Sequence, residues 1–182
     1  MADRTRLSVN LNKVALLRNS RRTGVPDLLS FARLAHEAGA DGITVHPRPD
    51  ERHIRRADVI ALTDLMRPWR PRFELNVEGY PDDRLLEIVR LVRPEQCTLV
   101  PDAPIAFTSE EGWRLSNEDM PLLCSAVAAL KACGCRTILF VDPDPNPVNV
   151  FLFFDHPTVK HRVHLCVTYD PWSRGESPQF VK

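Results

Sequence analysis

Apolar positions along the first three-quarters of the chain follow two alternating rhythms, one strand-like and one helical. Residues 7–11 form a short β-like run. Pro26 then opens a helical pattern with Leu28, Phe31, Ala32 and Ala35 on one face and Gly39 as its stop. Residues 42–46 read as a second strand, with Ile43, Thr44 and Val45 all β-branched. Residues 58–66 are expected to be helical and 73–78 to form a third strand. After Pro81-Asp82, the residues Leu85, Ile88, Val89 and Val92 recur at helical spacing until Pro94 ends the pattern. Residues 97–100 make a fourth strand. Ser116 and Asp119 have the spacing of a capping box, ahead of a helix carrying Leu123, Ala126, Val127 and Leu130 and stopped by Gly134. Residues 136–141 make a fifth strand.

Five such repeats with short connections predict an α/β fold with a parallel sheet and helices outside it. The near-continuous apolar content predicts strands buried on both faces. Repetition alone leaves an open doubly wound sheet and a barrel both standing. The first strand is not followed by Gly-x-Gly-x-x-Gly, which counts against a dinucleotide-binding sheet. A complete barrel needs eight units and ~200 residues or more; the 182 residues here supply only five.

Residues 146–182 break the rhythm. Alanine is absent from them, they hold half of the Phe and half of the His, and prolines interrupt them at 147, 157, 171 and 178. Residues 151–154 and 163–168 can each form a strand, with no helical pattern between them. The expected organisation is one unit over 1–145 and a divergent tail over 146–182, poorly ordered or the product of a shifted reading frame.

Charge narrows the function classes. Lys+Arg and Asp+Glu both number 24, and the formal net charge is zero, which removes most of the case for a nucleic-acid-binding or polybasic membrane protein. No apolar run approaches the ~18 residues of a membrane helix. The charged start, Asp3-Arg4, lacks a following apolar core and does not read as a signal peptide. A cytoplasmic setting is expected. The five cysteines include no Cys-x-x-Cys pair, and they are expected to be structurally passive.

Candidate chemistry lies at the strand ends. Asn10, Asn12 and Lys13 close strand one, His46 and Arg48 close strand two with His53 just beyond, Glu78 closes strand three, and Thr108 follows strand four. In parallel βα proteins these ends line the active site. Any one such residue is more often structural; four successive strands ending this way is a pattern. Arg18, Arg21 and Arg22, among Asn19, Ser20, Thr23 and Gly24, read either as a solvated charged loop or as a phosphate clamp, since guanidinium forks bind phosphate oxygens. Arg48 and His53 suggest a second anion site, and the two together a pocket for phosphorylated small molecules. Arg52, Arg55 and Arg56 read as a solvated helix start. His46, His53 and Glu78 are also metal-ligand types, but Arg48 would place a fixed positive charge beside the cation, so no metal is expected.

Several of these runs carry a resemblance. The segment from Leu7 to Arg21, containing Asn10, Asn12-Lys13 and Arg18-Asn19, resembles the opening of the pyridoxine 5′-phosphate synthase family. The run Gly39-Ala40-Asp41-Gly42-Ile43-Thr44-Val45-His46-Pro47-Arg48, followed by His53, is highly specific to it. Asn76-Val77-Glu78-Gly79, Leu99-Val100-Pro101 and Thr108-Ser109 continue the match in order, over about residues 5–145. The resemblance implies an incomplete (β/α)8 TIM-type barrel. The family assembles as octamers, an assembly in doubt for a chain without the later strands. It uses no metal or organic cofactor, and condenses 1-deoxy-D-xylulose 5-phosphate with 3-amino-2-oxopropyl phosphate, with loss of phosphate and water, in vitamin B6 biosynthesis.

By motif, His46 and Glu78 correspond to the proton acceptors, Asn10 and Arg21 to contacts of the aminoketone phosphate, and Arg48, His53, Thr108 and Asn12-Lys13 to contacts of the deoxyxylulose phosphate. Many members have Asp-His where this chain has Asn12-Lys13. The family's later glutamate, its histidine proton donor and its glycine-rich phosphate site have no counterpart here, and His156, His161 and His164 lie outside its motif. Three readings follow. One is the synthase, truncated and of uncertain activity. The others are a non-catalytic phosphosugar-binding or partner-binding fragment and, against the local charge, a metal-dependent barrel enzyme. The expected partners are phosphorylated small molecules, with no nucleic acid and no membrane.

Overall fold

Strand β1 (Ser8–Asn10) runs almost directly into helix α1 (Asn12–Asn19), an element the hydrophobic rhythm does not reveal. The computed structural model describes residues 6–101, 112–116 and 118–141, together with the backbone of 163–167. Helix α1 hides from pattern reading because Ala15 is its one fully buried residue, while Leu16 and Leu17 face outward. Asn12 and Lys13 therefore occupy a first helical turn rather than a strand end, and Arg18 sits in the last turn rather than in a loop.

The remaining elements follow the expected order. They are α2 (Leu28–Glu37), β2 (Gly42–Val45), α3 (Arg56–Met66), β3 (Glu74–Gly79), α4 (Asp83–Val92), β4 (Gln96–Leu99), α5 (Asp119–Ala132), β5 (Arg136–Val141) and β6 (Val163–Val167). Their starts are built by side chains. Asp27 and Asp82 cap α2 and α4 by accepting the N–H groups of Ser30 and Leu85 at 2.9 and 2.8 Å. The Asp119 carboxylate accepts from both the N–H and the hydroxyl of Ser116, which is the capping box read from the sequence. Gly39 and Gly134, with φ of +83° and +76°, take the left-handed turn just past α2 and α5.

Leu85, Ile88, Val89 and Val92 are all buried on α4, as their spacing predicts. On α2 the stripe is narrower than expected. Leu28, Ala32 and Ala35 are buried, but Phe31 falls at the stripe's edge, roughly 60° round the helix, and stays exposed.

The six strands pair in parallel, in the order β1-β2-β3-β4-β5-β6. A doubly wound sheet would reverse its order at a switch point; strict sequence order is that of a (β/α)8 barrel, with six strands among the described residues. Successive helices pack side by side, α1 on α2 through to α5, as an outer layer. The outward strand residues Ile43, Val45, Leu75, Val77, Cys97, Leu99, Leu139 and Val141 are buried in the core. Gly42, on the opposite face at the start of β2, permits a close approach to β3: a Cβ there would fall on the Glu74 carbonyl.

The central strands β2, β3 and β4 are buried on both faces, as expected, and their inner face is polar because they alternate at period two. The Ser8 and Thr44 hydroxyls share a hydrogen bond of 2.8 Å, Asn76 donates to Thr44 at 3.3 Å, and Thr98 donates to the Asn76 carbonyl oxygen at 3.0 Å. One polar row thus crosses four strands, each member answered by the next. Below it, at the N-terminal strand ends, Glu74 gathers Arg6 at 3.2 Å, Gln96 and Arg136.

Strand β6 falls at 163–167, within the stretch read from the sequence as strand-forming, and pairs with β5 from Thr137↔Val163 to Val141↔Val167. The rest of the expected tail lies outside the described residues.

Candidate functional site

The register Val45↔Val77 carries His46 and Glu78 to neighbouring positions at the C-terminal ends of β2 and β3. His46 is buried, and its backbone N–H donates to Asn12 Oδ1 at 2.8 Å. Asn12 is fixed in turn, its own N–H donating to Asn10 Oδ1 at 2.8 Å. Asn10, Asn12 and His46 thus form one connected unit across β1, α1 and β2. The sequence reading gave Asn12 a substrate-binding role; in the structure its side-chain oxygen also holds the end of β2.

Beyond His46 the chain turns tightly, with the Arg48 N–H on the His46 carbonyl at 3.0 Å. It then brings His53 back so that the two imidazoles lie 5.9 Å apart, centroid to centroid, tilted by 58°. His53 Nδ1 accepts the N–H of Ile54 at 2.9 Å, which leaves Nε2 as the nitrogen that carries the proton in the neutral ring. Arg48 is buried beside the pair.

Arg84, in the first turn of α4, donates to the Pro47 carbonyl at 2.6 Å and lies 3.7 Å from Asp82. It escapes sequence reading, although a basic residue in the turn after β3 necessarily faces the same end of the barrel. Lys13 completes the charge on the other side, near enough to disfavour protonation of His53.

These surroundings set the protonation state. Burial is the largest influence on His46, followed by the charges of His53, Arg48 and Arg84, and together they push its pKa down to about 3. Asp50 opposes them weakly. His53 is shifted down as well, by burial first and then by Arg48. His46 is therefore a neutral imidazole at pH 7, able to accept a proton but weakly basic while cations dominate its surroundings. An anion seated among Arg48, Arg84 and the histidines would offset the cationic part of that shift, though not the part due to burial. The arrangement suits an anionic substrate and a proton transfer that only its presence enables.

Arg18 is not a phosphate clamp in this structure. Its guanidinium forks onto Asp58, with Nη1 and Nη2 at 2.7 and 2.8 Å from the two carboxylate oxygens, and both side chains are largely buried. Arg21 and Arg22 are exposed beyond α1. The structure brings together Asn10, Asn12, His46, Arg48 and His53, with Lys13 on the rim and Glu78 on the adjoining strand. Thr108 lies outside the described residues.

No group of three His, Cys, Asp or Glu side chains stands close enough to hold a metal ion among the described residues, so His46, His53 and Glu78 do not form a ligand triad. Among the same residues no helix is long and apolar enough to cross a membrane. Cys97, Cys124, Cys133 and Cys135 are free thiols, and burial raises the pKa of Cys97 and holds Cys135 at about 12, which leaves both unreactive.

Comparison with known proteins agrees with this geometry. The chain is 49% identical over 145 residues to a pyridoxine 5′-phosphate synthase of Porphyromonas gingivalis, covering 80% of this chain and 58% of that protein. It is 48% identical over 141 residues to the protein of that name from Allorhizobium ampelinum, covering 78% and 56%, and 47% identical over 144 residues to that of Bacteroides thetaiotaomicron, covering 79% and 58%. The chain thus spans less than three-fifths of the length of the curated relatives it matches. Among solved structures, a mandelate oxidase superposes with a TM-score of 0.50 at 12% identity, covering 85% of this chain and 59% of that one, a likeness of TIM-barrel fold alone. The family model described as pyridoxal phosphate biosynthesis protein PdxJ matches residues 7–159, reaching past the point near 145 where the resemblance was read to stop. The chain belongs to this pyridoxal phosphate biosynthesis family.

Proposed function

We propose that the chain carries the 1-deoxy-D-xylulose 5-phosphate half-site and the proton acceptors of a pyridoxine 5′-phosphate synthase, the activity that its relatives' names state. One observation carries the reading: a buried, neutral His46 lies at the strand ends, beside His53 and within the field of Arg48 and Arg84. In this reading Arg48, His53 and Lys13 hold the sugar phosphate, with Thr108 from the next loop, and Asn12 secures His46 against them. Asn10 and Arg21 are assigned to the phosphate of the second substrate, 3-amino-2-oxopropyl phosphate.

Amine and ketone must condense, so protons must leave nitrogen and carbon. His46 accepts one once the substrate's phosphate offsets Arg48 and Arg84, and Glu78 on the neighbouring strand accepts another. The same cations stabilise phosphate as it departs. Holding both substrates by their phosphates replaces a bimolecular encounter with a positioned one. Metal and organic cofactors have no part in this scheme. Free thiols suit a reducing, cytoplasmic setting, and an octamer like that of the family is the proposed assembly for a chain with the later strands.

The test is to extend the chain to a full-length version carrying the family's later strands, incubate it with both substrates, measure pyridoxine 5′-phosphate, and repeat with His46→Ala and Glu78→Gln. The expected result is product from the parent chain and none from either variant, with sugar phosphate binding retained. Equal turnover in all three removes the assignment. Binding without turnover in the parent chain would reduce it to a phosphosugar-binding fragment.

A further inference from the structure

Helix α1 reaches the site twice. Its first turn holds His46 through Asn12, and its last turn holds the backbone of His53. Asn19 donates its side-chain amide to the His53 carbonyl at 2.8 Å and to the Arg52 carbonyl at 3.1 Å, and Arg18 Nη2 adds a third bond to the His53 carbonyl at 3.3 Å. Neither side chain is free to wander. Arg18 donates to Asn19 Oδ1 from Nε and Nη2 at 3.1 and 3.0 Å, which orients the amide with its NH2 toward the loop. Asp58 anchors Arg18 through the fork described above, and the same carboxylate accepts the Arg55 N–H at 2.8 Å at the start of α3. The 51–55 turn is thereby tied at both ends, to α1 by its carbonyls and to α3 by its next N–H.

We infer that Arg18 and Asn19, anchored by Asp58, are positioning residues for His53: they set the turn that carries its imidazole and so fix the distance between His53 and His46. None of the three needs to touch a substrate. The physical reason is economy of ordering, since a half-buried histidine on an unsupported turn would otherwise lose its remaining freedom only when a ligand binds, at a cost in affinity. A buried fork on Asp58 is the firmest anchor available, because breaking one partner leaves a charge buried and unpaired. This role rests on the reading of His53 as a contact of the sugar phosphate.

The test uses the full 182-residue chain and four variants: Asn19→Ala, Arg18→Lys, His53→Ala and the double variant Asn19→Ala/His53→Ala. Calorimetric titration with 1-deoxy-D-xylulose 5-phosphate gives one readout. NMR titration of the ring nitrogens of His46 and His53 gives another that needs no ligand. Asn19→Ala is expected to weaken binding about tenfold, the equivalent of one hydrogen bond. In the His53→Ala background it should weaken binding no further, because Asn19 acts only through His53.

His53 faces Lys13, Arg48, Asp50, Arg52 and His46. Its midpoint should rise toward that of a free imidazole in Asn19→Ala and Arg18→Lys, as the ring swings into solvent, while that of His46 stays low. Additive losses in the double variant, or a His53 midpoint unmoved in both single variants, would overturn the positioning role. If His53→Ala binds as well as the parent, the functional reading of His53 fails instead, and the midpoints still decide whether α1 positions the ring.

Discussion

The carbonyl oxygen of Asn12 holds the backbone N–H of His46 at 2.8 Å, so the first turn of α1 and the end of β2 are one mechanical unit. Replacing Asn12 with Ala leaves that N–H without its acceptor inside the barrel end, at a cost of about 1–3 kcal/mol. Asn12→Asp keeps the acceptor and should retain most of the stability. Urea denaturation of the three proteins distinguishes them, and an alanine variant as stable as the parent would show that the bond contributes nothing.

Acid should weaken the fold through the two histidines. Their folded pKa values lie below the unfolded value of about 6.5, with His46 near 3. Between these limits the unfolded chain binds more protons than the folded one, so stability rises with pH in that window and is lost as pH falls through it. His46→Gln removes one proton uptake and should flatten the dependence between pH 6.5 and 4. An identical slope in the variant would mean that His46 is not held neutral.

An anion at the site should make His46 more basic. Inorganic phosphate near Arg48 and Arg84 offsets two of the charges that, after burial, depress it, so its NMR midpoint is expected to rise by about one unit at saturation. The Arg84→Met variant should begin with a higher midpoint and respond less. A midpoint indifferent to phosphate in the parent would separate the cations from the anion-binding role.

Gly42 is a packing constraint at the start of β2, the end of the strand away from the site. Gly42→Ala drives a methyl onto the Glu74 carbonyl, which belongs to backbone and has little room to give. A loss of about 1–3 kcal/mol is expected in thermal or chemical unfolding, in the range of overpacked cores. A neutral effect would mean that β2 and β3 can separate at their starts.

Much of this was legible in the residues. The strand ends announce His46, Arg48 and Glu78, because a parallel βα chain places such ends together whatever the intervening helices do. Capping at Asp82 and Ser116 and the stripe of α4 follow from local chemistry, and the structure reproduces them. Helix α1 was missed because a helix with one buried alanine has almost no amphipathic signature. With it went the true role of Arg18, whose partner Asp58 lies 40 residues away on another helix. The polar inner row was hidden differently. Ser8, Thr44, Asn76 and Thr98 look like ordinary strand residues until the register aligns them, and register is a property of the sheet, not of any one strand. Arg84 is not among the candidates read from the sequence, though its position after β3 carries the needed information.

The most direct measurement is a calorimetric titration of 1-deoxy-D-xylulose 5-phosphate into the 182-residue chain and into Arg48→Ala, at fixed pH and ionic strength. The expected result is binding at one site per chain, weakened tenfold or more in the variant, since a buried guanidinium on a phosphate contributes at least about 1.4 kcal/mol. No heat with the parent chain, or equal affinity in both proteins, would contradict the placement of a phosphate site at the ends of β2 and β3.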